Sequence, residues 1–107
     1  MINKIKGLGL GWYYNEKAIK VKNTKKEVKI LKEAVFKNVE TPYTYDRLSI
    51  LLAKKGYQEE SLEVCKKYEK IMKKRLEYRK RKGYAEDISS REIKIIKRLK
   101  KLREKIN

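Results

Sequence analysis

The side chains of this sequence that could do chemistry are concentrated in one basic run. Seven of the ten residues at positions 73–82 are Lys or Arg. A cluster of like charge repels itself, so such a density indicates an anionic partner. Lysine binds phosphate as a point charge, and arginine binds it through a planar fork of N–H donors. The run therefore predicts recognition of a polyanion.

The rest of the C-terminal third extends this pattern. Residues 71–107 carry 15 Lys and Arg against 5 acidic residues, and six of the seven arginines lie after residue 70. Each phosphate that a cation neutralises releases counterions, which favours nucleic-acid binding. The alternative is a lysine-rich surface that is only solvated. We expect these cations to contact nucleic acid: Lys73, Lys74, Arg75, Arg79, Lys80, Arg81, Lys82, Arg91, Lys94, Arg98, Lys101 and Lys105.

Aromatic residues near the N-terminus form a second candidate site. The sequence has eight tyrosines, and Trp12 and Tyr13 stand in an aromatic triplet close to two lysines. Exposed aromatic rings among cations stack on unpaired bases, so Trp12 and Tyr13 are candidates for base stacking. The alternative is that Trp12 and one tyrosine anchor this segment to the core. We assign Tyr45, Tyr57 and Tyr68 to packing.

Residues for catalysis or metal binding are scarce. The sequence has no histidine and one cysteine, Cys65, which excludes the usual zinc sites. Cys65 falls in an apolar helical stripe and is expected in the core. No nucleophile has a base beside it. The glycines at 7, 9 and 11 lack the Gly-Lys-Ser/Thr ending of a phosphate loop. We expect no enzymatic activity, no cofactor and no metal.

Length and composition predict one small folded domain. The chain has 107 residues, of which 40% are hydrophobic, and its formal net charge is +17. No apolar stretch approaches the roughly 20 residues that a membrane span requires, so we expect a cytoplasmic protein with no membrane partner. Helix signals and charge together divide the domain, residues 1–107, into an N-terminal arm (1–22), a helical hairpin core (23–70) and a basic helical segment (71–107).

Helix signals place about four helices after residue 23. Thr24 and Glu27 have the spacing of a capping box and predict a helix at 25–38, and Ser89 and Glu92 likewise predict one at 90–106. Pro42 in a first turn predicts a helix at 42–55 that Gly56 ends. A long helix follows at 58–82, where Gly83 ends it. The predicted fold is an all-α antiparallel bundle.

The first 22 residues carry conflicting signals. Glycines at 7, 9 and 11 oppose a helix, and the alternation at 19–22 is typical of a strand but also fits the start of the first predicted helix. We predict a less regular arm and assign it no element.

Residues 45–68 resemble a tetratricopeptide repeat. In that family, aromatic, apolar and small residues at fixed spacing build two antiparallel helices around a glycine turn. The resemblance implies a helical hairpin at about 42–68, in which small side chains let the two helices approach closely. The residues in the matching positions are Tyr45, Leu48, Ser49, Leu52, Gly56, Ser61 and Cys65.

Two classes of function follow. The first is a non-enzymatic protein that binds RNA or DNA through phosphate contacts of its basic helices. The second is a repeat-like adaptor or inhibitor that docks on an acidic protein surface, such as that of a nucleic-acid-processing complex. Residues 41–48 also look similar to hairpins of small basic proteins from phages and mobile elements. Val64, Ile71 and Tyr78 lie at heptad spacing, which leaves a homo-oligomer open.

Overall fold

The computed structural model describes residues 8–106, and the side chains of residues 12–106. The predicted all-α class is confirmed for this range, which contains helices and no strand. It has five helices instead of about four, because a helix occupies residues 8–20 of the predicted irregular arm, whose residues 1–7 lie outside the described range. The helices are α1 (Leu8–Lys20), α2 (Thr24–Phe36), α3 (Pro42–Lys54), α4 (Gln58–Arg81) and α5 (Ser90–Ile106).

Helix α1 corrects the prediction for the N-terminal segment. Its buried residues Tyr14 and Ala18 face α2, where Ala18 packs with Val28 and Leu31. The Tyr14 hydroxyl donates a hydrogen bond of 3.0 Å to Glu33. Packing of this kind supplies most of the stability of a short helix and outweighs the low helix propensity of glycine. The strand-like alternation at 19–22 therefore begins in the last turn of a helix.

The start of α2 also differs from the prediction. Asn23, not Thr24, is the N-cap, because its side-chain oxygen accepts a hydrogen bond of 3.0 Å from the backbone N–H of Lys26. Glu27 does not complete a capping box but forms an ion pair of 2.7 Å with Arg47 of α3. The predicted capping box at Thr24 is therefore wrong. The predicted bounds of the other three helices agree to within one residue.

Helices α3 and α4 form a closely packed antiparallel pair. Ser61 Oγ donates a hydrogen bond of 2.7 Å to the backbone oxygen of Ser49, and both serines are fully buried. Gly56 has φ +88° and turns the chain between the helices. Tyr45 and Tyr68 pack in the core as predicted, with ring centroids 5.1 Å apart. Tyr57 does not, since 53% of its surface is exposed.

Helix α5 packs against both α3 and α4. Its residues Ile95, Leu99 and Leu102 are buried with Tyr68 and Met72 of α4. Because α1 also contacts α3, the odd-numbered helices form one row. The resulting molecule is a slab of 42 × 42 × 20 Å. None of the five described helices is both long and apolar enough to cross a membrane.

The turn at Gly56 supports a stability prediction. A side chain at φ +88° is strained by about 1–2 kcal/mol, while no atom lies within 4 Å of the position that a Cβ would take. We expect Gly56→Ala to lower the free energy of unfolding by about 1 kcal/mol. Gly56→Asn should cost less, because asparagine tolerates left-handed backbone. Urea unfolding measures both, and an unchanged Gly56→Ala midpoint would contradict the prediction.

Candidate nucleic-acid interface

The basic C-terminal third is a packed pair of helices. At its centre, the Glu92 side chain is almost fully buried on α5 and accepts hydrogen bonds from Arg75 and from the Tyr68 hydroxyl of α4. The predicted capping box is confirmed, because Ser89 N–H donates to Glu92 at 2.9 Å and Glu92 N–H donates to Ser89 Oγ at 3.2 Å. The Glu92 carboxylate thus takes part in the N-terminal capping box of α5 and also joins α5 to α4.

Arg75 and Arg79 hold the connection between α4 and α5. The Arg75 guanidinium donates to both oxygens of Glu92 and, at 2.7 Å, to the backbone oxygen of Asp87. Its Nε is buried and makes no hydrogen bond with the described residues. Arg79 donates to the backbone oxygen of Ala85 at 2.8 Å. Both arginines were predicted as phosphate ligands, and the structure places them in intramolecular contacts.

Arg91 and Arg98 attach α5 to α3 in a similar way. Arg98 donates to the buried carboxylate of Asp46 at 2.8 Å and to Ser49 Oγ at 2.9 Å. Arg91 lies 3.8 Å from Asp46 and 5.0 Å from the ring centroid of Tyr43. Four of the predicted phosphate-binding arginines therefore have protein partners. Arginine is concentrated near the C-terminus because these side chains hold α5 and its connection in place, which the sequence pattern did not show.

The other predicted cations are exposed on the outer sides of α4 and α5. Within residues 12–106, none of them forms an ion pair. On α4, together with Lys70, they form what we call the α4 basic face: Lys70, Lys73, Lys74, Lys80 and Arg81. Lys82 follows the helix, and the exposed lysines of α5 are Lys94, Lys97, Lys100, Lys101 and Lys105.

The candidate stacking residues lie away from these cations. Trp12 is 67% exposed and Tyr13 is 50% exposed, so Trp12 does not anchor α1, whereas Tyr14 does. Helix α1 contacts α2 and α3, but it contacts neither α4 nor α5 within the described residues. The structure therefore does not bring Trp12 and Tyr13 together with the α4 basic face.

A groove beside α4 was missed by the sequence reasoning. Its volume is about 580 Å³, and it lies between the second half of α4 and the connection from α2 to α3. The heptad stripe could have indicated it, because two members of that stripe, Ile71 and Tyr78, line its wall. The lining residues are Asn38, Glu40, Tyr45, Lys67, Tyr68, Lys70, Ile71, Lys74, Arg75 and Tyr78.

Burial keeps Tyr45, Tyr68 and Cys65 in their protonated forms. Burial, with a smaller contribution from the charge of Glu40, raises the pKa of Tyr45 to about 12. Burial and the contact with Glu92 also raise the pKa of Tyr68. The Tyr45 hydroxyl donates to the backbone oxygen of Val39 at 2.6 Å. Burial raises the pKa of Cys65, so this cysteine is an unreactive core residue.

Glu92 supports a prediction about stability. Removing one partner of a buried ion pair leaves the charge of the other partner uncompensated, which lowers stability. Here the remaining charge would be that of Arg75, and its partial exposure to water reduces this loss of stability. We expect Glu92→Ala to lower the free energy of unfolding by about 2–4 kcal/mol. Glu104→Ala removes an exposed carboxylate from the same helix and should change it by less than about 0.5 kcal/mol. Equal urea midpoints for the two variants would contradict the role of Glu92.

Glu92 also predicts a pH dependence. Burial alone would raise its pKa, but hydrogen bonds from Arg75, Ser89 and Tyr68 outweigh burial and lower the pKa from 4.5 to about 2. Because the folded pKa lies below the unfolded one, this stabilisation is complete above pH 4.5 and is lost as the pH falls towards 2. We expect the stability difference between wild type and Glu92→Gln to shrink over that window, and a pH-independent difference would refute the assignment.

The described part of the chain contains no group of three or more Cys, Asp or Glu residues placed to hold a metal ion.

Comparisons of the sequence and the structure with protein-family models, with curated proteins and with solved structures find no match. The case for a function therefore rests on the α4 basic face, the α5 lysines and the groove beside α4.

Proposed function

We propose that this chain is a non-enzymatic nucleic-acid-binding protein that contacts the phosphate backbone through α4 and α5. The observation that carries the proposal is the α4 basic face: five exposed cations on one packed helix, none of them ion-paired within residues 12–106. The backbone of a folded helix is already ordered when its cations meet phosphates, whereas the backbone of a free tail must first be ordered.

Arginine and lysine have separate tasks in this proposal. Arg75, Arg91 and Arg98 hold α5 in place, Arg79 holds the connection before it, and the exposed lysines with Arg81 meet the ligand. Lys73 and Lys80 lie seven residues apart on α4, which is about 10 Å along the helix axis. A nucleic-acid strand presents about one phosphate per 3.4 Å, so several phosphates face this interval. Lysines act as point charges, and we therefore expect recognition of charge and shape without a base code, for RNA or DNA.

A second candidate function is a tetratricopeptide-like adaptor or inhibitor. Helices α2 and α4 begin at Thr24 and Gln58, 34 positions apart. This interval equals the roughly 34-residue period of that repeat family, and contacts between successive odd-numbered helices suit a stack of such repeats. In this function the basic surface would dock on an acidic protein.

The salt dependence of binding tests the first candidate. We expect the affinity for a labelled oligonucleotide, followed by fluorescence anisotropy, to fall steeply with salt, because each contacted phosphate adds about 0.7–0.9 to the log–log slope. Replacing Lys73, Lys80 and Arg81 with glutamine should reduce the slope by about 2.

A matched control removes the same charge elsewhere. Lys25, Lys26 and Lys29 are exposed on α2, and their glutamine variant has the same net charge as the α4 variant. If both variants lose affinity equally, net charge alone would explain binding and the α4 interface would be refuted. No binding by wild type, together with a stoichiometric protein partner captured from nuclease-treated lysate, would favour the adaptor instead.

A further inference from the structure

The groove beside α4 has an aromatic and apolar lining. Tyr45 and Tyr68 contribute buried rings, and Ile71 is half-buried against the core. Tyr78 is 47% exposed at the end of the groove, so one ring stands free of the core. The hydroxyls of Tyr45 and Tyr68 already donate to protein acceptors, Val39 and Glu92. A flat, largely apolar ligand suits this lining, because the two buried hydroxyls already have acceptors. The buried donor of the lining that has no partner in the described residues is Arg75 Nε.

The rim of the same groove is cationic. Lys67, Lys70 and Lys74 line it, and Glu40 is the one acidic residue among its lining residues. Lys67 Nζ donates to the backbone oxygen of Val35 at 2.9 Å and caps the end of α2. Lys70 and Lys74 form no ion pair within residues 12–106. A ligand for this groove therefore joins a flat ring to a negative charge.

Charge also argues against a second copy of this chain as the occupant. Each copy carries a formal net charge of +17, and a dimer through this groove would bring Lys70 and Lys74 towards another strongly basic molecule. A nucleotide, in contrast with a second copy of this chain, matches both the apolar lining and the cationic rim of the groove. Its base is flat and stacks on aromatic rings, and its phosphate carries the negative charge.

From this geometry we propose that the groove receives an unpaired base of single-stranded nucleic acid, which stacks on Tyr78 while an adjacent phosphate binds Lys70 and Lys74. This inference rests on the proposed nucleic-acid function and names its substrate class. A paired base cannot enter the groove, so the site selects single strands. Lys82 Nζ lies over the Tyr78 ring, 5.8 Å from its centroid, and is a further cation close to this ring. Lys70 and Lys74 also belong to the α4 basic face, so one strand can occupy both surfaces.

The test compares single-stranded and duplex oligonucleotides of about 20 nucleotides with the full chain by fluorescence anisotropy at one salt concentration. Wild type should bind the single strand at least about tenfold more tightly. Tyr78→Ala should weaken single-strand binding about 5- to 100-fold, which corresponds to the loss of one stacked base, and should change duplex binding less than about twofold. Tyr78→Phe keeps the ring and should bind the single strand like wild type.

A control variant, a folding check and a second groove variant complete the binding test. Tyr84→Ala removes another exposed ring that lies near a cation, Arg79, but does not line the groove, and it should leave single-strand affinity unchanged. Circular dichroism shows whether each variant remains folded. Lys70→Gln with Lys74→Gln provides a second route, because it should lower single-strand affinity even if Tyr78→Ala does not fold.

The outcomes separate this inference from the proposed function. Equal affinity for single strand and duplex, with no effect of Tyr78→Ala, would overturn the groove site and leave phosphate binding in place. No binding of either oligonucleotide would overturn both. A dimer of wild type in sedimentation that Tyr78→Ala converts to monomer would identify a second copy as the occupant and would also overturn the groove site.

Discussion

A buried carboxylate requires a compensating charge, and this requirement organises the packing of the helices. The buried acidic residues of the described range are Glu27, Asp46 and Glu92, and each pairs with an arginine on another helix. Arg47 joins α3 to α2, Arg98 joins α5 to α3, and Arg75 joins α4 to α5. Leaving any of these carboxylates unpaired would cost several kcal/mol, so the pairs select one arrangement of helices. Apolar burial supplies the driving force, and these pairs specify which faces meet.

The same constraint explains why the two basic residue types separate in space. Arginine offers a planar fork of donors that can bind both oxygens of a carboxylate and a nearby backbone oxygen at once, as Arg75 does with Glu92 and Asp87. Lysine has a compact, strongly hydrated charge and remains exposed. The arginines thus compensate internal acids, and the excess positive charge of the surface belongs mainly to lysine. In the proposed function this surface is what the nucleic acid meets, which suits binding without a base code.

Signals within a few residues of one another were predictable from the sequence, and signals between distant residues were not. The Ser89–Glu92 capping box and the glycines at 56 and 83 depend on neighbouring backbone, and all were predicted correctly. Thr24 was misassigned because Glu27 pairs with Arg47, 20 residues away. Helix α1 was missed because its stability comes from packing against α2. Arg98 has its acidic partner 52 residues away, so its spacing on α5 resembled that of a phosphate ligand. The exposed lysines were placed correctly on the surface because they have no such partner within the described residues.

The length of α4 connects the scaffold with the proposed binding surfaces. Helix α4 has 24 residues and its antiparallel partner α3 has 13, so the second half of α4 extends beyond α3. Helix α5 covers one side of this extension through Met72 and Arg75. On the side with Ile71 and Tyr78, no described helix covers this extension beyond the end of α2, and the groove lies there. A shorter α4 would lose the groove and most of the α4 basic face together. The extension is therefore the one element on which both proposed contacts with a nucleic-acid strand depend, and the buried ion pair of Arg75 with Glu92 joins it to α5.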